Sequence, residues 1–517
     1  MTKLLRGSIA LSILAGTGVA RAEIIEVGPG DDVEAAMNAL MPGDELVLEG
    51  GTYTLTDAWH ITMVGTEQAP IVVRAKDGDK PHLQRPSADQ NVIDFDMVRH
   101  ATFRGIEVSG GSHGLRLIDV SFMTIEGCDI HDTGDVAISA NSGGDYDGLR
   151  ILRNNIHHTN NTGEGMYLGC NNDDCRVHDS LIEGNWVHHT NGPTIEQGDG
   201  IEIKEGSYGN VIRDNIIHDT NYPCILTYST VGNGAPNIIE RNAMWNCGDH
   251  GIQSAADAII RNNIILGSGA NGIAMQPHQS GAPSNLEVLH NTVLHPSNSA
   301  ITVSGATGTI LIANTAVYAQ NGAASDVGGD LALEIAAGNL GVGSFSGPSS
   351  GYDESGDIDA DFVSASYAGA PPMDVFPANG SALVGAGDPR YAATDDFNGT
   401  PRDGTADVGA YRFDAAGNPG WTLDGGFKDA DASSSAATTG SGGGSSAGPA
   451  GAGGSSAVGP GAGNGGADAG ADPEGAGDSG CSCRATGGHG APPWPDSLTV
   501  MLGWLAWSRR RRSRHSR

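Results

Sequence analysis

The 517-residue sequence has few aromatic residues, few basic residues and no long apolar run. Aromatic residues make up 5% of the chain. The body lacks a run of about 18 apolar residues, which excludes a protein with several membrane-spanning helices. The 28 basic residues face 61 acidic ones, for a formal charge of −33. We therefore expect no nucleic-acid partner, because such a partner needs a basic face.

The scarcity of positive charge is greatest between the two ends. Residues 23–480 hold 60 acidic residues against 18 basic ones. A polyanionic ligand of this part of the chain would need a bound cation to offset the negative field.

The first 22 residues have the pattern of a secretory signal. Lys3 and Arg6 precede a short apolar stretch from Ile9 to Ala15, and Ala20-Arg21-Ala22 forms a small-x-small cleavage site. We expect an exported protein, at the cell surface or outside the cell, whose cysteines meet an oxidising environment.

The body contains five cysteines, so disulfides are possible and one cysteine would stay unpaired. Cys170 and Cys175 flank four polar residues and could close a small loop. Cys224 and Cys247 are separated by about one structural repeat and could join adjacent layers.

The C-terminal part changes composition twice. Residues 416–480 are dominated by Gly, Ala and Ser, which cannot bury enough apolar surface to fold, so we expect a disordered linker. Gly480-Cys481-Ser482-Cys483, an apolar patch over 498–507 and the run Arg509–Arg512 then follow. This ending, residues 481–517, resembles myxobacterial C-terminal sorting signals, which implies a sorting and processing machinery as a partner.

The body is built of repeats of about 26 residues. The unit reads Asn-x-x-His-x-Thr, a variable loop, then Gly-x-Gly followed by alternating apolar residues. It begins at Asn154, Asn185 and Asn215, for example, and the second part appears at residues 163–168 and 198–203. Such a unit cannot bury its own apolar face, so neighbouring units must stack.

These repeats resemble the right-handed parallel β-helix proteins of the pectate-lyase-like superfamily. The resemblance implies an all-β solenoid of about 9–12 coils over residues 23–415. Asp31-Asp32 before the amphipathic stretch Val33 to Leu40 predicts a helix that caps the first coil. The segments 396–402 and 407–411 resemble a closing segment for the other end.

Most repeated polar residues have a structural interpretation. The recurrent Asn predicts an inward ladder of side-chain amides. His131, His157, His188 and His218 share one repeat position, which predicts a stack on the outer surface. A metal-binding stripe of these histidines is the alternative, but it lacks a repeated carboxylate at ligand spacing.

The coil around residues 198–205 differs from the others. Alternation places Ile201 and Ile203 in the core, with Glu202 and Lys204 towards solvent. Lys204 is the sole lysine between residues 81 and 427. An ordinary ion pair on a solvated surface is the simplest interpretation of this lysine and its acidic neighbours.

Repeat alignment adds further candidates around this coil. Tyr167 lies beside Glu202, and Arg116 lies on the same face a few coils earlier, so we count both with Lys204 as candidate catalytic residues. The candidate metal ligands are Glu164, Asp199 and Glu202, with Asp173 and Asp174 added for their chemical character and not by alignment. The candidate substrate-binding residues are His250 and the pair Gln253 and Gln276, which extend the row on the other side of the coil.

The segment Asp199-Gly-Ile-Glu-Ile-Lys204, followed by Gly209-Asn210-Val211, resembles the strand that carries the lysine base in calcium-dependent pectate lyases. The resemblance implies that Lys204 removes a proton from a uronic acid in a β-elimination. A lysine can act as base when its pKa is lowered, whereas neighbouring carboxylates act in the opposite direction. The hypothesis therefore requires a cation, calcium, among the carboxylates.

Three other functions remain open. A C5-epimerase shares the proton abstraction, and a glycoside hydrolase could use Glu164 and Asp199 as its pair of carboxylates. The third is a non-catalytic surface protein that binds glycans or forms a structural part of the envelope. For all of them we expect a monomer with a polysaccharide as its ligand.

Overall fold

The computed structural model describes residues 22–329, 334–347 and 349–428. The secretory signal apart from Ala22, most of the linker and the sorting signal lie outside this part of the chain. Among the residues described, no helix has the length and apolar character needed to cross a membrane.

The chain winds into a parallel β-solenoid of about 11 turns, which confirms the predicted fold class. Short strands recur on three faces, and each strand pairs in parallel with its equivalents in the coils before and after. Within the described residues, face 1 consists of β1 (Ile24–Val27), β2 (Glu45–Leu48), β5 (Ile71–Ala75), β8 (Arg99–Arg104), β11 (Ser121–Glu126), β15 (Arg150–Leu152), β19 (Leu181–Glu183), β22 (Val211–Arg213), β25 (Asn237–Glu240), β28 (Ala258–Arg261), β31 (Leu286–Leu289), β34 (Ile310–Ala313) and β36 (Glu334–Ala337).

Faces 2 and 3 are built from the remaining strands of the solenoid. Face 2 comprises β3 (Gly51–Thr54), β6 (Pro81–Arg85), β9 (Glu107–Gly110), β12 (Asp129–His131), β16 (Asn155–His157), β20 (Trp186–Thr190), β23 (Ile216–Thr220), β26 (Ala243–Cys247), β29 (Ile264–Ser268), β32 (Thr292–His295), β35 (Ala316–Val327), β37 (Asn339–Ser346) and β38 (Tyr352–Asp353). Face 3 comprises β4 (Trp59–Ile61), β7 (Ile93–Asp96), β10 (Leu115–Ile118), β13 (Ile138–Ser142), β17 (Met166–Leu168), β21 (Ile201–Ile203), β24 (Ile225–Thr227), β27 (Ile252–Ser254), β30 (Ile273–Met275) and β33 (Ile301–Val303), and the long β35 pairs with both faces.

Small elements lie outside the three faces. Two pairs of short strands are β14 (Tyr146–Asp147) with β18 (Val177–His178), and β39 (Phe362–Ser364) with β40 (Asp374–Pro377). The helices are α1 (Val33–Asn38), α2 (Ile358–Asp361) and the 3₁₀ turns Asn171–Asp173 and Pro389–Tyr391.

Helix α1 closes the N-terminal end, as the sequence predicts. Asp32 caps it by accepting a hydrogen bond from the backbone N–H of Ala35 (3.0 Å). Its side chains also satisfy the edge of β4: Glu34 accepts from the backbone of His60 (2.9 Å), and Asn38 accepts from that of Thr62 (2.8 Å). An edge that would otherwise offer unpaired backbone groups is therefore covered.

The predicted asparagine ladder is present in the interior. Except at Asn291, where the ladder ends, each side-chain carboxamide donates to the Oδ1 of the Asn one coil further on and to a backbone carbonyl near the preceding coil, as Asn215 does to Asn242 (2.9 Å) and Ile182 (3.0 Å). Its own Oδ1 accepts from the backbone and side chain of Asn185 (both 2.9 Å). The ladder runs through the fully buried Asn154, Asn185, Asn215, Asn242, Asn263 and Asn291.

The histidine stack also matches its prediction. His131, His157, His188 and His218 occupy paired positions on face 2, and successive rings stack at 4.9, 4.9 and 5.4 Å between centroids. Trp245 continues the stack at 4.7 Å from His218.

Both possible disulfides are formed. Cys170 is bonded to Cys175, and Cys224 to Cys247. Among the described residues Cys128 has no disulfide partner, and burial raises the pKa of its thiol to about 12.

The closing segment differs from the expectation that it covers the last coil. It runs back along the outer side of face 2, where Phe397 and Tyr411 pack in one apolar cluster with Trp245. The buried Arg402 fastens it by donating to Oδ1 of Asn262 (3.1 Å). The segment remains packed as far as Lys428, whose ammonium donates to Asp214 (2.7 Å) and to two backbone carbonyls.

We expect Asn215→Ala to lower the free energy of unfolding by about 3 kcal/mol, because it leaves buried backbone groups at Ile182 and Asn185 without partners. Chemical denaturation measures this change. Asn321→Ala is the control, since that exposed side chain donates one hydrogen bond. Equal losses in the two variants would contradict a stabilising ladder.

Acid is expected to destabilise the fold through His295. Its Nδ1 accepts from the backbone N–H of Asn298 (2.9 Å), so the neutral ring is required, and burial lowers its pKa to about 4. The pKa of a histidine in an unfolded chain is about 6.5. As the pH is lowered, the unfolded chain therefore takes up the proton first, and the free energy of unfolding falls between about pH 6.5 and pH 4. His295→Gln should flatten this part of the curve of unfolding free energy against pH, whereas the control His60→Gln, at an exposed position, should not. If the curves of the wild type and His295→Gln are parallel, the assignment to His295 is refuted.

Candidate functional site

The candidate site is built on face 3 by β17, β21 and the turns before them. Tyr167 pairs in register with Glu202, and the backbone N–H of Gly165 donates to the carbonyl of Asp199 (2.9 Å). A Cβ at Gly200 would lie 2.5 Å from the carbonyl oxygen of Cys224, so this turn requires glycine. The residues before the two glycines, Glu164 and Asp199, are therefore held one above the other.

Three carboxylates meet at this point. Glu164, Asp199 and Glu202 each place one oxygen within 4.8 Å of the others, and their exposures are 0%, 1% and 2%. The expectation that Glu202 faces solvent is wrong: its side chain points outward from the coil but is covered. Both oxygens of Glu164, one of Asp199 and one of Glu202 have no hydrogen-bond partner in the described part of the chain.

Such a cluster is electrostatically unfavourable while all three groups are ionised. Burial raises the pKa of Glu164 to about 7, and burial together with Glu202 and Glu164 raises the pKa of Asp199 well above its usual range. Either protons or a cation must therefore balance the charge. Unpartnered carboxylate oxygens are the donors that calcium prefers, so the residues fit that ion.

Lys204 adds one positive charge to the cluster. Its ammonium donates to Oε1 of Glu202 (2.8 Å) and to the hydroxyl of Tyr228 (3.1 Å). The Nζ lies 4.9 Å from the ring centre of Tyr167 and 4.3 Å from that of Tyr228. The expectation that Lys204 faces solvent is wrong, because its side chain is only 4% exposed. Its ion pair with Glu202 is therefore buried and does not lie on a solvated surface.

The loop that follows β30 encloses the lysine. The backbone N–H of Ser280 donates to Oε1 of Glu205 (3.3 Å), and the side chain of Gln279 donates to Asn171 (3.2 Å). His278 lies on the same loop, with Nε2 3.0 Å from the hydroxyl of Tyr228. Burial and the charge of Lys204 lower the pKa of His278.

Tyr228 and His278 are the residues that sequence reasoning missed. Tyr228 is one coil beyond Lys204 in register, since it follows β24 as Lys204 follows β21. Extending the repeat alignment by one position would have found it. His278 lies in a loop outside the repeat, so the pattern carried no signal for it.

The site opens into a cavity of about 610 Å³. Beside the carboxylates and Lys204 it is lined by Gln253 and, towards the earlier coils, by His113. Burial lowers the pKa of His113. The cavity therefore extends across several coils of face 3, in the direction in which the solenoid stacks.

Arg116 and Gln276 are not brought to the cavity centre. Arg116 lies on face 3 as predicted, but the strand of Ser139 separates it from Tyr167. In the row of Gln253 the next coil presents Ala274, and Gln276 instead lies near His250, with a nitrogen–nitrogen distance of 3.4 Å. The position expected for Gln276 was therefore wrong.

His250, Asp173 and Asp174 also lie away from the cluster. His250 is buried and accepts at Nδ1 from the backbone of Asn271 (3.1 Å). The carboxylate of Asp173 accepts from the guanidinium of Arg176, and Asp174 is exposed. The structure groups neither aspartate with Glu164.

Comparisons with known proteins agree with this architecture. A family model described as "Pel9A-like, right handed beta helix region" matches residues 14–222, and one described as "Right handed beta helix region" matches residues 196–317. The described solenoid thus has the right-handed parallel type that the repeats predicted. No curated protein matches the chain.

Solved structures with a similar fold include polysaccharide lyases and a glycoside hydrolase. Pectate lyase Pel9A is 16% identical, with 77% of this chain and 98% of that chain covered and a TM-score of 0.46. An alginate lyase from Paenibacillus sp. str. FPU-7 is 18% identical, with coverage of 51% and 99% and a TM-score of 0.37. The catalytic domain of a GH87 alpha-1,3-glucanase is 14% identical, with coverage of 64% and 69% and a TM-score of 0.39.

Calcium is expected to raise the thermal stability of the full chain. A ligand that is present at about 100 times its Kd and binds only the folded state raises the free energy of unfolding by about 2.7 kcal/mol. This increase shifts the unfolding temperature upward by several degrees. Glu164→Gln should abolish the shift, and it should be more stable than the wild type in chelator, because one buried charge is gone. Glu196→Gln, on an exposed loop, should keep the shift; a wild type indifferent to calcium would contradict the site.

Proposed function

We propose that this protein is a calcium-assisted polysaccharide lyase that cleaves a uronic-acid-containing polymer by β-elimination. The observation that carries the proposal is the buried Lys204 beside three clustered carboxylates with unpartnered oxygens, at the floor of an extended cavity. The cavity has room for sugar units along face 3, and its chemistry combines a nitrogen base with a candidate cation site.

Glu164, Asp199 and Glu202 would hold the cation. When bound, calcium supplies positive charge that neutralises the carboxylate cluster and the uronate of the substrate. The negative charge of this chain otherwise opposes an acidic polymer, so the proposal depends on this neutralisation.

The chain's own residues handle the protons. Lys204, in its neutral form, would accept the C5 proton at Nζ while the C4–O bond breaks, a C4–C5 double bond forms and the leaving oxygen takes a proton from water to become a hydroxyl. The hydroxyl of Tyr228 links Nζ to Nε2 of His278 through contacts of 3.1 and 3.0 Å. This chain offers a route by which a proton can leave the base between turnovers.

A glycoside hydrolase is the second candidate function. Hydrolysis uses two carboxyl groups about 5–5.5 Å apart in retaining enzymes or about 6.5–9.5 Å in inverting ones. One oxygen of Glu164 and one of Asp199 lie within 4.8 Å of each other, which suits a shared cation and is also compatible with the retaining separation. The raised pKa of Glu164 is the observation that favours the hydrolase, since an acid with a pKa of about 7 can protonate a leaving group.

The activity test uses the full chain with a panel of uronic-acid polymers and neutral glycans, with calcium and with chelator. Ultraviolet absorbance of the unsaturated product is recorded together with reducing ends. We expect calcium-dependent absorbance that falls by a factor of about 100 to 10,000 in Lys204→Gln, as for loss of a general base.

Lys76→Gln is the matched control, because Lys76 pairs on the surface with Glu26 and Glu49. Reducing ends without absorbance, lost in Glu164→Gln, would replace the lyase by the hydrolase. Altered uronate composition without cleavage would indicate the C5-epimerase. Glycan binding without any turnover across the panel would indicate the non-catalytic surface protein.

A further inference from the structure

A second group of metal-ligating side chains lies on face 2, apart from the carboxylate cluster. His82 on β6, Glu107 on β9 and His131 on β12 come from three successive strands of this face. All three are outward positions, because their neighbours Leu83, Val108 and Ile130 are fully buried in the core. The side chains are 19%, 30% and 17% exposed, so an ion can enter from solvent.

The separations between the donor atoms are those of a small coordination sphere. Oε1 of Glu107 lies 3.4 Å from Nε2 of His82 and 3.3 Å from Nε2 of His131. Zinc binds such nitrogens and oxygens at about 2.0–2.2 Å in a tetrahedron, whose ligand atoms are then about 3.3–3.5 Å apart. One donor atom from each of the three residues lies within 4.8 Å of the others.

A neighbouring carboxylate orients one of the imidazoles. Nδ1 of His131 lies 2.7 Å from Oδ2 of Asp132, so this carboxylate accepts a hydrogen bond from Nδ1–H and leaves Nε2, which faces Glu107, as the nitrogen available to an ion. Histidines that bind metals usually have such a partner, which fixes the tautomer and the ring orientation. The stacked ring of His157, 4.9 Å away, also restrains the ring of His131.

His82 has a second contact that a bound ion must accommodate. Its Nε2 lies 2.7 Å from the hydroxyl of Ser109 as well as 3.4 Å from Glu107. Rotation of the hydroxyl proton lets Ser109 remain beside the ion. The competing description is a hydrogen-bonded network of these side chains without metal, and zinc titration distinguishes that network from a metal site.

The sequence pattern conceals this site because its carboxylate is not repeated. In register with Glu107 the next coils present Asp129, Asn155 and Trp186. Glutamate, the longer acid, occurs in the coil where His82 and His131 flank it. In the next coil Asp129 likewise lies 3.2 Å from Nε2 of His157, but within the described residues of this stripe a carboxylate and two histidines group together only around Glu107.

We propose that His82, Glu107 and His131 bind one divalent first-row transition-metal ion, with zinc as the probe. Two imidazole nitrogens and one carboxylate oxygen favour such an ion over calcium, which prefers oxygen ligands alone. The fourth position is left for water. Because the ligands come from three strands, the ion joins three coils of the N-terminal half of the solenoid.

The test is calorimetric titration of the chelator-stripped full chain with zinc, in excess calcium to occupy the oxygen cluster on face 3. We expect the wild type to bind one more equivalent than the double variant His82→Gln/His131→Gln, and Glu107→Gln to bind that equivalent at least tenfold more weakly. Cobalt should give the intense visible absorption of a tetrahedral site in the wild type and lose it in the double variant. Any zinc that the cysteines and the two histidines of the C-terminal tail bind is common to all forms and cancels in the comparison.

His60→Gln is the matched control, because it removes an imidazole that is 70% exposed and lies beside the carboxylate of Asp94. It should bind like the wild type. Equal stoichiometry and affinity in the wild type and the double variant overturn the proposal. Should the double variant fail to fold, Glu107→Gln, which preserves size, decides the matter: unchanged affinity and cobalt spectrum overturn the site.

Discussion

In-register pairing of equivalent residues between successive coils is the constraint on which the rest of this structure depends. Parallel strands about 4.8 Å apart place each side chain directly above its counterpart in the preceding coil. Each position of the repeat thus becomes a column of side chains along the solenoid. A residue type can recur in a column only if its side chain packs or hydrogen-bonds favourably with another copy of itself. Aliphatic columns form the core, and asparagine columns suit the interior because a carboxamide both donates and accepts.

The candidate site lies where a column breaks this rule. A carboxylate accepts hydrogen bonds but donates none when ionised, so Glu164 and Asp199 one above the other cannot satisfy each other as Asn185 and Asn215 do. Lys204 compensates part of the charge, and the unpartnered oxygens show that compensation within the described chain is incomplete. Stacking of like residues stabilises the fold elsewhere, but at this point it brings negative charges together, and a bound cation can relieve their repulsion.

The last part of the described chain has a different role. Rather than lengthening the solenoid, it returns along face 2 and buries aromatic residues against its outer side. Lys428 is buried against the partly exposed Asp214, and burial lowers the pKa of this lysine. The neighbouring Phe427 meets Trp186 edge to face at 5.9 Å, so the segment fastens coils that are far from it in sequence.

The sequence by itself determined the solenoid, the asparagine ladder and the histidine stack, because each follows from a repeat period that stacking converts directly into neighbours. For the same reason it aligned Glu164 with Asp199 and Tyr167 with Glu202. It gave the two disulfides only as possibilities. Tertiary structure alone decided the burial of Lys204, the approach of His278 and the path of the closing segment, since these depend on loops of irregular length that carry no period. The grouping of His82, Glu107 and His131 belongs there too: it joins different residue types from three coils along a diagonal, which a search for repeated residues does not detect.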